Sequence, residues 1–484
     1  MAAAFGIGPP IAPEHLDGAP AFAAALRHDY ASYLVSLGLI NMGGLLMLPI
    51  VTGWLSAAEL GLYSLIETAQ VQGLTFSLLG LKFAYLYYYA HTPADDRAGL
   101  FGITLLLAMA SSLVGGLLLW AVFGNAAIMA RFDTAPLPQA WLLAPLLTLS
   151  ALQTLLMTEL RAARRAWLSG AIAIAQLILG LAGGLLFMAG LGLGLAGLLY
   201  AQLATGLLVN AASLYLMRHR LQVRWRRGQV LALLRYGIPM MGSLMLRYSL
   251  DTLCRFLLAA LVSIEAAGIF LVAGSVAAIF DSLLALPFFT AWGGLVHHAL
   301  RQRTAAVIVG RAAALAIGLS CLLLLAILAA RPWLFDLLVH RPMPEAAGLF
   351  ALLLLGKAVM LVRSPLTSGI LVTGRTGWAT RNSLLGLAVF LVLIYPLARL
   401  WQAEGMAAAL LVANGTATAL LALQSWRHCR PQIGTIMLLP VALALAGTAC
   451  SLMSGGTAVL AALFGVALVT AWVAWRHPAD TEPV

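Results

Sequence analysis

Three charged side chains interrupt an apolar, helix-forming stretch near the middle of the sequence. The stretch reads MGSLMLRYSLDTLCRFLLAA over residues 241–260, and its charges, Arg247, Asp251 and Arg255, are spaced four residues apart. On a helix this spacing places all three on one face, and at the centre of a bilayer each charge would cost roughly 2.5 to 3.5 kcal/mol. That face therefore contacts protein or water. Two interpretations stay open: Asp251 bridges the arginines within the helix, or the arginines bind an anionic ligand.

The two lysines of the chain are further candidates for chemistry inside the membrane. Only Lys82 and Lys357 are lysines among the 28 basic residues, and both lie in predicted spans. A buried lysine can lose its proton whereas arginine effectively cannot, so these positions suit a charge-switching step. For Lys82, beside the aromatic run YLYYYAH, the alternative is a side chain that reaches out to the membrane interface.

The embedded charges predict a site for an anion, because basic residues inside the predicted spans outnumber acidic ones. The predicted cationic cavity residues are Arg247, Arg255, Lys357 and Lys82. The predicted charge-coupling residues are Asp251, Glu67 and Asp281. No metal or cofactor site is predicted, since the sequence holds no P-loop, zinc motif or nucleophile elbow. ATP bound to this chain is therefore not expected to drive transport.

The composition requires a membrane as the surroundings of these residues. Of 484 residues, 62% are hydrophobic and 9% charged, and the mean hydropathy is +0.97. A soluble domain carries about 25% charged residues. Fourteen apolar runs between residues 31 and 475 are each long enough, at about 20 residues, to span a bilayer. The predicted fold class is an all-α polytopic membrane protein with about 14 transmembrane helices.

Basic residues alternate between the connections and indicate the orientation. With the N-terminus inside, nineteen arginines fall in inner connections and tails, and only Arg131, Arg331, Arg341 and Arg399 in outer ones. Both termini are therefore predicted to be cytoplasmic. The asymmetry accounts for the net charge of +11 without a nucleic-acid partner. The inner clusters are expected to contact anionic membrane lipids.

An internal repeat divides the chain at its most basic connection. LSAAELGLYSL at residues 55–65 resembles VSIEAAGIFLV at 262–272, with Gly61 aligned to Gly268. An even number of spans separates the copies, so both have one orientation, as in repeats parallel about the membrane normal. The predicted organisation is a cytoplasmic tail (1–28), a six-helix N-lobe (29–217), a basic linker (218–231), a six-helix C-lobe (232–427), and two further helices with a short tail (428–484).

Two long segments resemble the polysaccharide transporter (Wzx-type) flippases of the multidrug/oligosaccharidyl-lipid/polysaccharide superfamily. LMLPIVTGWLSAAELGLYSLIETAQVQGLTFSLLGLKFAYLYYY, residues 45–89, is similar to their first two helices, with a late proline and a Leu-Ser-x-x-Glu-x-Gly-x-Tyr turn. LLRYGIPMMGSLMLRYSLDTLCRFLLAALVSIEAAGIF, residues 233–270, is similar to their seventh helix and the start of the eighth. The family has Asp and Arg adjacent there, whereas Asp251 and Arg255 are four residues apart.

The resemblance implies a carrier and not an enzyme. A flippase of this family moves polyprenyl-diphosphate-linked oligosaccharide or polysaccharide precursor across the bacterial inner membrane by alternating access. Its expected partners are the lipid-linked sugar, membrane lipids, and the glycosyltransferases and polysaccharide polymerase of the same pathway. Two alternatives stay open: a multidrug or cation antiporter of the same superfamily, and a membrane-embedded polysaccharide polymerase or ligase.

Overall fold

The fold is helical throughout the part of the chain that can be described. The computed structural model describes residues 43–93, 96–163, 165–218, 227–299, 305–341, 343–368 and 377–427, with the isolated positions 441, 444, 445 and 448. The predicted N-terminal tail, the fourteenth span, nearly all of the thirteenth and most of the basic linker lie outside these residues. Within them there is no strand. The predicted all-α fold class is confirmed.

The helices follow the predicted spans. In chain order they are α1 (Gly43–Trp54), α2 (Ala57–Ser77), α3 (Leu81–His91), α4 (Arg97–Phe123), α5 (Ala126–Met129), α6 (Leu143–Ala162), α7 (Ala166–Gly184), α8 (Gly194–Met217), α9 (Arg227–Leu261), α10 (Ile264–Phe280), α11 (Leu286–Ala299), α12 (Ala305–Ala329), α13 (Arg331–Leu338), α14 (Pro344–Leu366) and α15 (Gly377–Ser425). At Trp401 and Gln402 the backbone leaves the helical region, so α15 is two helices joined at a kink. These two helices are the predicted eleventh and twelfth spans.

Eight helical stretches of the described residues are long and apolar enough to cross a membrane. α2 is not among them although it has 21 residues, because it carries two glutamates, two glutamines and several hydroxyl side chains. A helix of this composition needs protein or water along its polar face. The chain is thus a multi-pass membrane protein in which α2 is set apart by its polarity.

The described residues pack as two compact units. Those from 50 to 271 form the N-terminal unit, and those before 50 and from 272 onward form the C-terminal unit. In the N-terminal unit α4 packs along α6, α7 along α8, and α9 along α2 and α3. In the C-terminal unit α14 packs against both α12 and α15. The predicted lobes follow the sequence repeat and assign α9 to the C-lobe; that division stays a prediction.

Serine residues cap the two repeat-related helices of the N-terminal unit. The Ser56 hydroxyl accepts from the backbone N–H of Glu59 at 3.3 Å, and Glu59 Oε2 accepts from the backbone N–H of Ser56 at 2.9 Å, which is a capping box at the start of α2. At the start of α10 the Ser263 hydroxyl accepts from the backbone N–H of Ala266 at 3.1 Å. Because the repeat aligns Ser56 with Ser263, similar local sequence builds similar local structure twice.

The two capped helices cross at their aligned glycines. A Cβ atom built on Gly61 would lie 1.9 Å from the carbonyl oxygen of Ile264, and one built on Gly268 would lie 2.6 Å from that of Ala57. The repeat also aligns Ala57 with Ile264, so each copy makes the same contact with the other. Reciprocal contacts of this kind are those of an isologous, two-fold interface. They support the predicted parallel repeat.

The second span of each repeat is interrupted at an equivalent position. The predicted second span is two helices, because Leu79 (φ 48°) and Gly80 (φ 68°) separate α2 from α3. In the predicted eighth span a π-helical turn, Asp281–Ala285, separates α10 from α11. The alignment of Gly61 with Gly268 places residues 78–80 opposite 285–287, where that turn ends. Interrupted helices at corresponding positions of two repeats are a pointer to the binding region of a transporter.

A close backbone contact holds the first interruption against α9. A Cβ atom on Gly80 would lie 2.0 Å from the carbonyl oxygen of Gly237, and one on Gly237 would lie 2.3 Å from the carbonyl oxygen of Leu79. Real Cβ contacts are longer, so only glycine fits at either position. The positive φ of Gly80 adds a second reason for glycine there. This contact sets where α3 begins, and with it the position of Lys82.

Candidate functional site

Arg255 is bound to α2 rather than to an acid of its own helix. Its Nη1 donates to Glu67 Oε2 at 3.2 Å and to the Thr68 hydroxyl at 3.2 Å. The side chains of Arg255 and Glu67 are 22% and 43% exposed, so the ion pair is half-buried with one side open. Asp251, one turn earlier, is exposed. The side chain of Arg247 lies outside the described residues.

Lys357 makes the corresponding ion pair in the C-terminal unit. From the middle of α14 its ammonium donates a hydrogen bond to Asp281 Oδ2. The side chains are 27% and 33% exposed. Asp281 is the first residue of the π-helical turn, and such turns occur frequently at functional sites because they re-aim side chains. The pair therefore joins an irregular segment to a neighbouring straight helix.

Each observed ion pair joins one predicted cavity cation to one predicted coupling acid. The sequence singled out all four residues but did not predict which would meet, since that depends on the rotation of helices about their axes. A half-buried cation with a carboxylate partner is neutral towards its surroundings, and removing the partner leaves a cation that attracts another anion. Protonation of the carboxylate has the same effect. Chemically, each pair can exchange one anion for another.

Lys82 lies just after the helix interruption and is placed differently. It is the second residue of α3, and its ammonium lies 5.7 Å from the centroid of the Phe83 ring. Among the described residues no carboxylate forms an ion pair with it. The structure therefore does not bring Lys82 into either ion pair.

Sequence reasoning left out one acidic residue that the structure makes prominent. Glu159, in α6, is 3% exposed, and its carboxylate accepts a hydrogen bond from the Tyr85 hydroxyl of α3. Tyr85 is itself fully buried in the core of the N-terminal unit. The sequence does contain a signal for Glu159, because a carboxylate near the end of an apolar run is a candidate functional residue. The position near a helix end made it look like an interfacial residue instead.

Irregular backbone accompanies the candidate charges. Asp281 begins a π-helical turn, and Lys82 follows the interruption at Leu79 and Gly80. In a membrane, non-helical backbone is tolerated only where it is buried in protein or lines a wet cavity. These charges are thus built into segments that lipid cannot surround. No group of three His, Cys, Asp or Glu side chains among the described residues is placed to hold a metal ion.

Comparison with known families confirms the resemblance drawn from the sequence. The family model described as "Polysaccharide biosynthesis protein" matches residues 100–288. This segment extends from α4 to the first residues of α11 and includes Arg255, Glu159 and Asp281. A search of curated proteins found no match.

Solved structures with the same fold are transporters and flippases. A lipid II flippase, MurJ, in an inward closed conformation matches with a TM-score of 0.70 and 10% identity, covering 92% of this chain and 99% of that one. An inward-facing multidrug resistance MATE family transporter of the MOP superfamily matches with a TM-score of 0.63 and 15% identity, and the match covers 82% of this chain and 97% of that one. A third match is a MOP superfamily transporter from Pyrococcus furiosus, for which reverse polarity of the binding pocket suggests a different function. Its TM-score is 0.50 and its identity 17%, and the match covers 83% of this chain and 96% of that one. The chain therefore has the polytopic fold of these carriers.

Proposed function

We propose that the protein is a flippase that moves polyprenyl-diphosphate-linked oligosaccharide or polysaccharide precursor across the bacterial inner membrane by alternating access. The observation that carries the proposal is the set of basic residues embedded in the spans. A lipid diphosphate must exchange its water for cationic partners, and arginine offers paired hydrogen bonds to phosphate oxygens. The fold shared with a lipid II flippase and the polysaccharide biosynthesis family match support this substrate class. The distribution of arginine supports a cytoplasmic location for both termini.

The two ion pairs define how the diphosphate is accepted. Arg255 holds Glu67, and Lys357 holds Asp281. A phosphate group that binds at either cation replaces the carboxylate of that cation, and the carboxylate returns when the substrate leaves. Protonation of Glu67 or Asp281 after the substrate has left lowers the cost of keeping the carboxylate in a poorly hydrated site while the empty carrier resets. Glu67 and Asp281 thereby acquire the coupling role, while Arg255 and Lys357 provide affinity.

A multidrug or cation antiporter is the second candidate because MATE transporters share the fold. A carrier of organic cations needs an acidic binding region. Here five basic residues lie inside the predicted spans, and they outnumber the acids there. The balance of charge therefore favours an anionic cargo.

A polysaccharide polymerase or ligase is the remaining alternative. Such an enzyme requires an outer loop large enough to carry catalytic side chains. The longest connections on the predicted outer side lie near residues 124–140 and 331–345, and their described parts hold only short helical segments. The predicted partner enzymes, a glycosyltransferase and a polymerase, supply that chemistry instead.

The test is to follow substrate and product in a strain that lacks the gene. The strain is complemented with the wild type, Arg255→Ala, Lys357→Ala, or the control Arg131→Ala, which alters an exposed arginine outside the embedded set. At matched abundance we expect the first two variants to accumulate lipid-linked precursor and to lose surface polymer by about tenfold or more, as for loss of a charge-assisted contact. Arg131→Ala should match the wild type. Normal polymer in the strain lacking the gene would contradict the proposal.

A further inference from the structure

Two glutamines of the N-terminal unit form a hydrogen bond between α6 and α7. Gln153 lies near the middle of α6, and Gln176 lies near the middle of α7. Nε2 of Gln153 donates to Oε1 of Gln176 at 3.3 Å. Gln153 is half-buried, whereas Gln176 is exposed. The two amides thus make a polar surface within two membrane spans, and this surface is open at Gln176.

Hydroxyl side chains extend this surface along α6. Ser150 lies one turn before both Gln153 and Thr154, so the three side chains share one side of the helix. The Ser150 hydroxyl donates to the carbonyl oxygen of Leu146 at 2.8 Å, and the Thr154 hydroxyl donates to that of Ser150 at 2.8 Å. Because the helix uses both hydroxyl protons, the two oxygens are left to accept hydrogen bonds. We call Ser150, Gln153, Thr154 and Gln176 the amide patch.

The amide patch has an unmet hydrogen-bonding group and space beside it. Oε1 of Gln153 is buried and has no hydrogen-bond partner. A buried oxygen without a donor is unfavourable, and a turn of the terminal amide towards a ligand hydroxyl removes that cost. Gly180 lies one turn after Gln176, and a Cβ atom built on it would have no neighbour within 4 Å. Protein atoms therefore leave room for a ligand next to Gln176.

The chemistry of the patch fits a neutral ligand with several hydroxyl groups. The sequence of α7 contains no charged residue, and the charges of α6, Glu159 and Arg161, lie in its last turn. The patch therefore offers no counter-charge to an ion. Amides both donate and accept, and the hydroxyl oxygens accept, which complements the donor and acceptor character of sugar hydroxyls. Lipid cannot solvate an exposed amide inside a span, so water or a polar ligand contacts Gln176.

We propose that the amide patch is a binding site for the sugar hydroxyls of the lipid-linked cargo. This assignment rests on the proposed function and adds a neutral glycan site on α6 and α7 to the charged residues that bind the diphosphate. A site built to hydrogen-bond hydroxyl groups discriminates strongly against ligands that lack them. The patch therefore contributes selectivity for the sugar, while Arg255 and Lys357 contribute affinity for any polyprenyl diphosphate.

Equilibrium binding of two probes to the purified full-length chain in phosphatidylcholine nanodiscs tests the site. One probe is the lipid-linked oligosaccharide extracted from the producing strain, and the other is a polyprenyl diphosphate of the same chain length without sugar. We expect Gln153→Leu/Gln176→Leu to weaken binding of the first probe by about tenfold, as for the loss of two neutral hydrogen bonds. Binding of the second probe should not change. Gln139→Leu, a half-buried glutamine in the predicted outer connection, is the matched control.

A substitution at Gly180 tests the same site without removing a polar group. Gly180→Leu places a side chain in the open space beside Gln176. It should weaken binding of the oligosaccharide probe and leave that of the bare diphosphate unchanged. This variant keeps the site testable if the double glutamine variant folds poorly.

Three results would overturn the glycan site. Unchanged binding of both probes is the first. Equal loss of both probes in the glutamine variant is the second, because it indicates that the amides only hold α6 against α7. The third is a glutamine variant that still binds the oligosaccharide but no longer self-associates in light scattering, since polar side chains also join membrane helices. The patch would then be a contact between two copies of the chain.

A flipping assay keeps the outcome for the site separate from that for the proposed function. It follows a fluorescent lipid-linked oligosaccharide in proteoliposomes. Wild-type protein that binds the oligosaccharide through the amide patch but does not move it contradicts the flippase and leaves the glycan site standing. Wild-type protein that flips, with binding unaffected by the glutamine and Gly180 variants, does the reverse.

Discussion

At the scale of single residues, the partner of Arg255 determines what the arginine can bind. Glu67 occupies its guanidinium at 3.2 Å. If the substrate diphosphate must displace this carboxylate, Glu67→Gln should tighten binding of a short-chain polyprenyl diphosphate by about threefold to tenfold, because the competing charge is gone. Arg255→Gln should weaken it. Equilibrium binding in phosphatidylcholine nanodiscs measures both effects.

Two further variants distinguish direct pairing from a general change of charge. Asp251→Asn removes the same charge one turn away in α9, where the side chain is exposed, and should give a smaller gain because solvent screens it. In an Arg255→Gln background Glu67→Gln should have little effect on binding, since the effects of substitutions at two contacting residues are not additive. A gain that persists without Arg255 would show that Glu67 does not compete for that arginine.

The residue types at the candidate site could be predicted from the sequence, but their pairings could not. A charge in an apolar run is conspicuous in any chain, which is why Glu67, Arg255, Asp281 and Lys357 could be singled out. Which carboxylate meets which cation depends on how helices far apart in sequence pack. Residue spacing within α9 allowed Asp251 as one possible partner for Arg255, and packing against α2 supplied Glu67 instead.

At the scale of elements, the interruption between α2 and α3 depends on a backbone contact with α9. Gly237→Ala would place a Cβ atom 2.3 Å from the carbonyl oxygen of Leu79. We expect the clash to destabilise the protein by about 1 to 3 kcal/mol, the range for overpacking, and to displace α3. Thermal unfolding of the purified protein in detergent measures the loss.

A second glycine of the same helix provides the control. Gly242 in α9 has no atom within 4 Å of a Cβ built on it. Gly242→Ala should be neutral or stabilising by about 0.5 to 1 kcal/mol, because alanine loses less backbone freedom in a helix. If Gly237→Ala and Gly242→Ala destabilised the protein equally, the loss would come from alanine at any glycine of α9. The close contact between Gly237 and Leu79 would then not be its cause.

The existence of the membrane spans could be predicted from the sequence, whereas their interruptions could not. Apolar length alone identifies a membrane helix, and it located α4, α6, α8 and α12 well. The second predicted span contains Gly61, Gly73 and Gly80, so glycine alone did not identify Gly80 as the position of the break. The break itself follows from a close approach by α9, which no local pattern contains. The same holds for the π-helical turn that begins at Asp281.

At the scale of the whole molecule, the repeat and the charge distribution together bear on what drives transport. Two copies in one membrane orientation suit alternating access, and the reciprocal crossing of α2 with α10 is a structural trace of that repeat. The predicted cargo carries about two negative charges at its diphosphate. Outward movement of that charge across an inside-negative membrane is favourable by roughly 4.6 kcal/mol per 100 mV. If the cargo is this diphosphate, the membrane potential supplies a driving force for its export without ATP.

Proteoliposomes with an imposed potassium diffusion potential test this energy source. We expect a fluorescent polyprenyl-diphosphate oligosaccharide to collect in the leaflet facing the positive side, because its charge moves with the field. Reversing the potential should reverse the distribution, and collapsing it should leave the leaflets equal. An impermeant quencher reads the distribution, and protein-free vesicles give the background. The contrary result is a leaflet distribution that changes with a pH gradient and does not change with the potential. It would mean that protons exchanged at Glu67 or Asp281 compensate the charge of the cargo, so that the potential does not drive its transport.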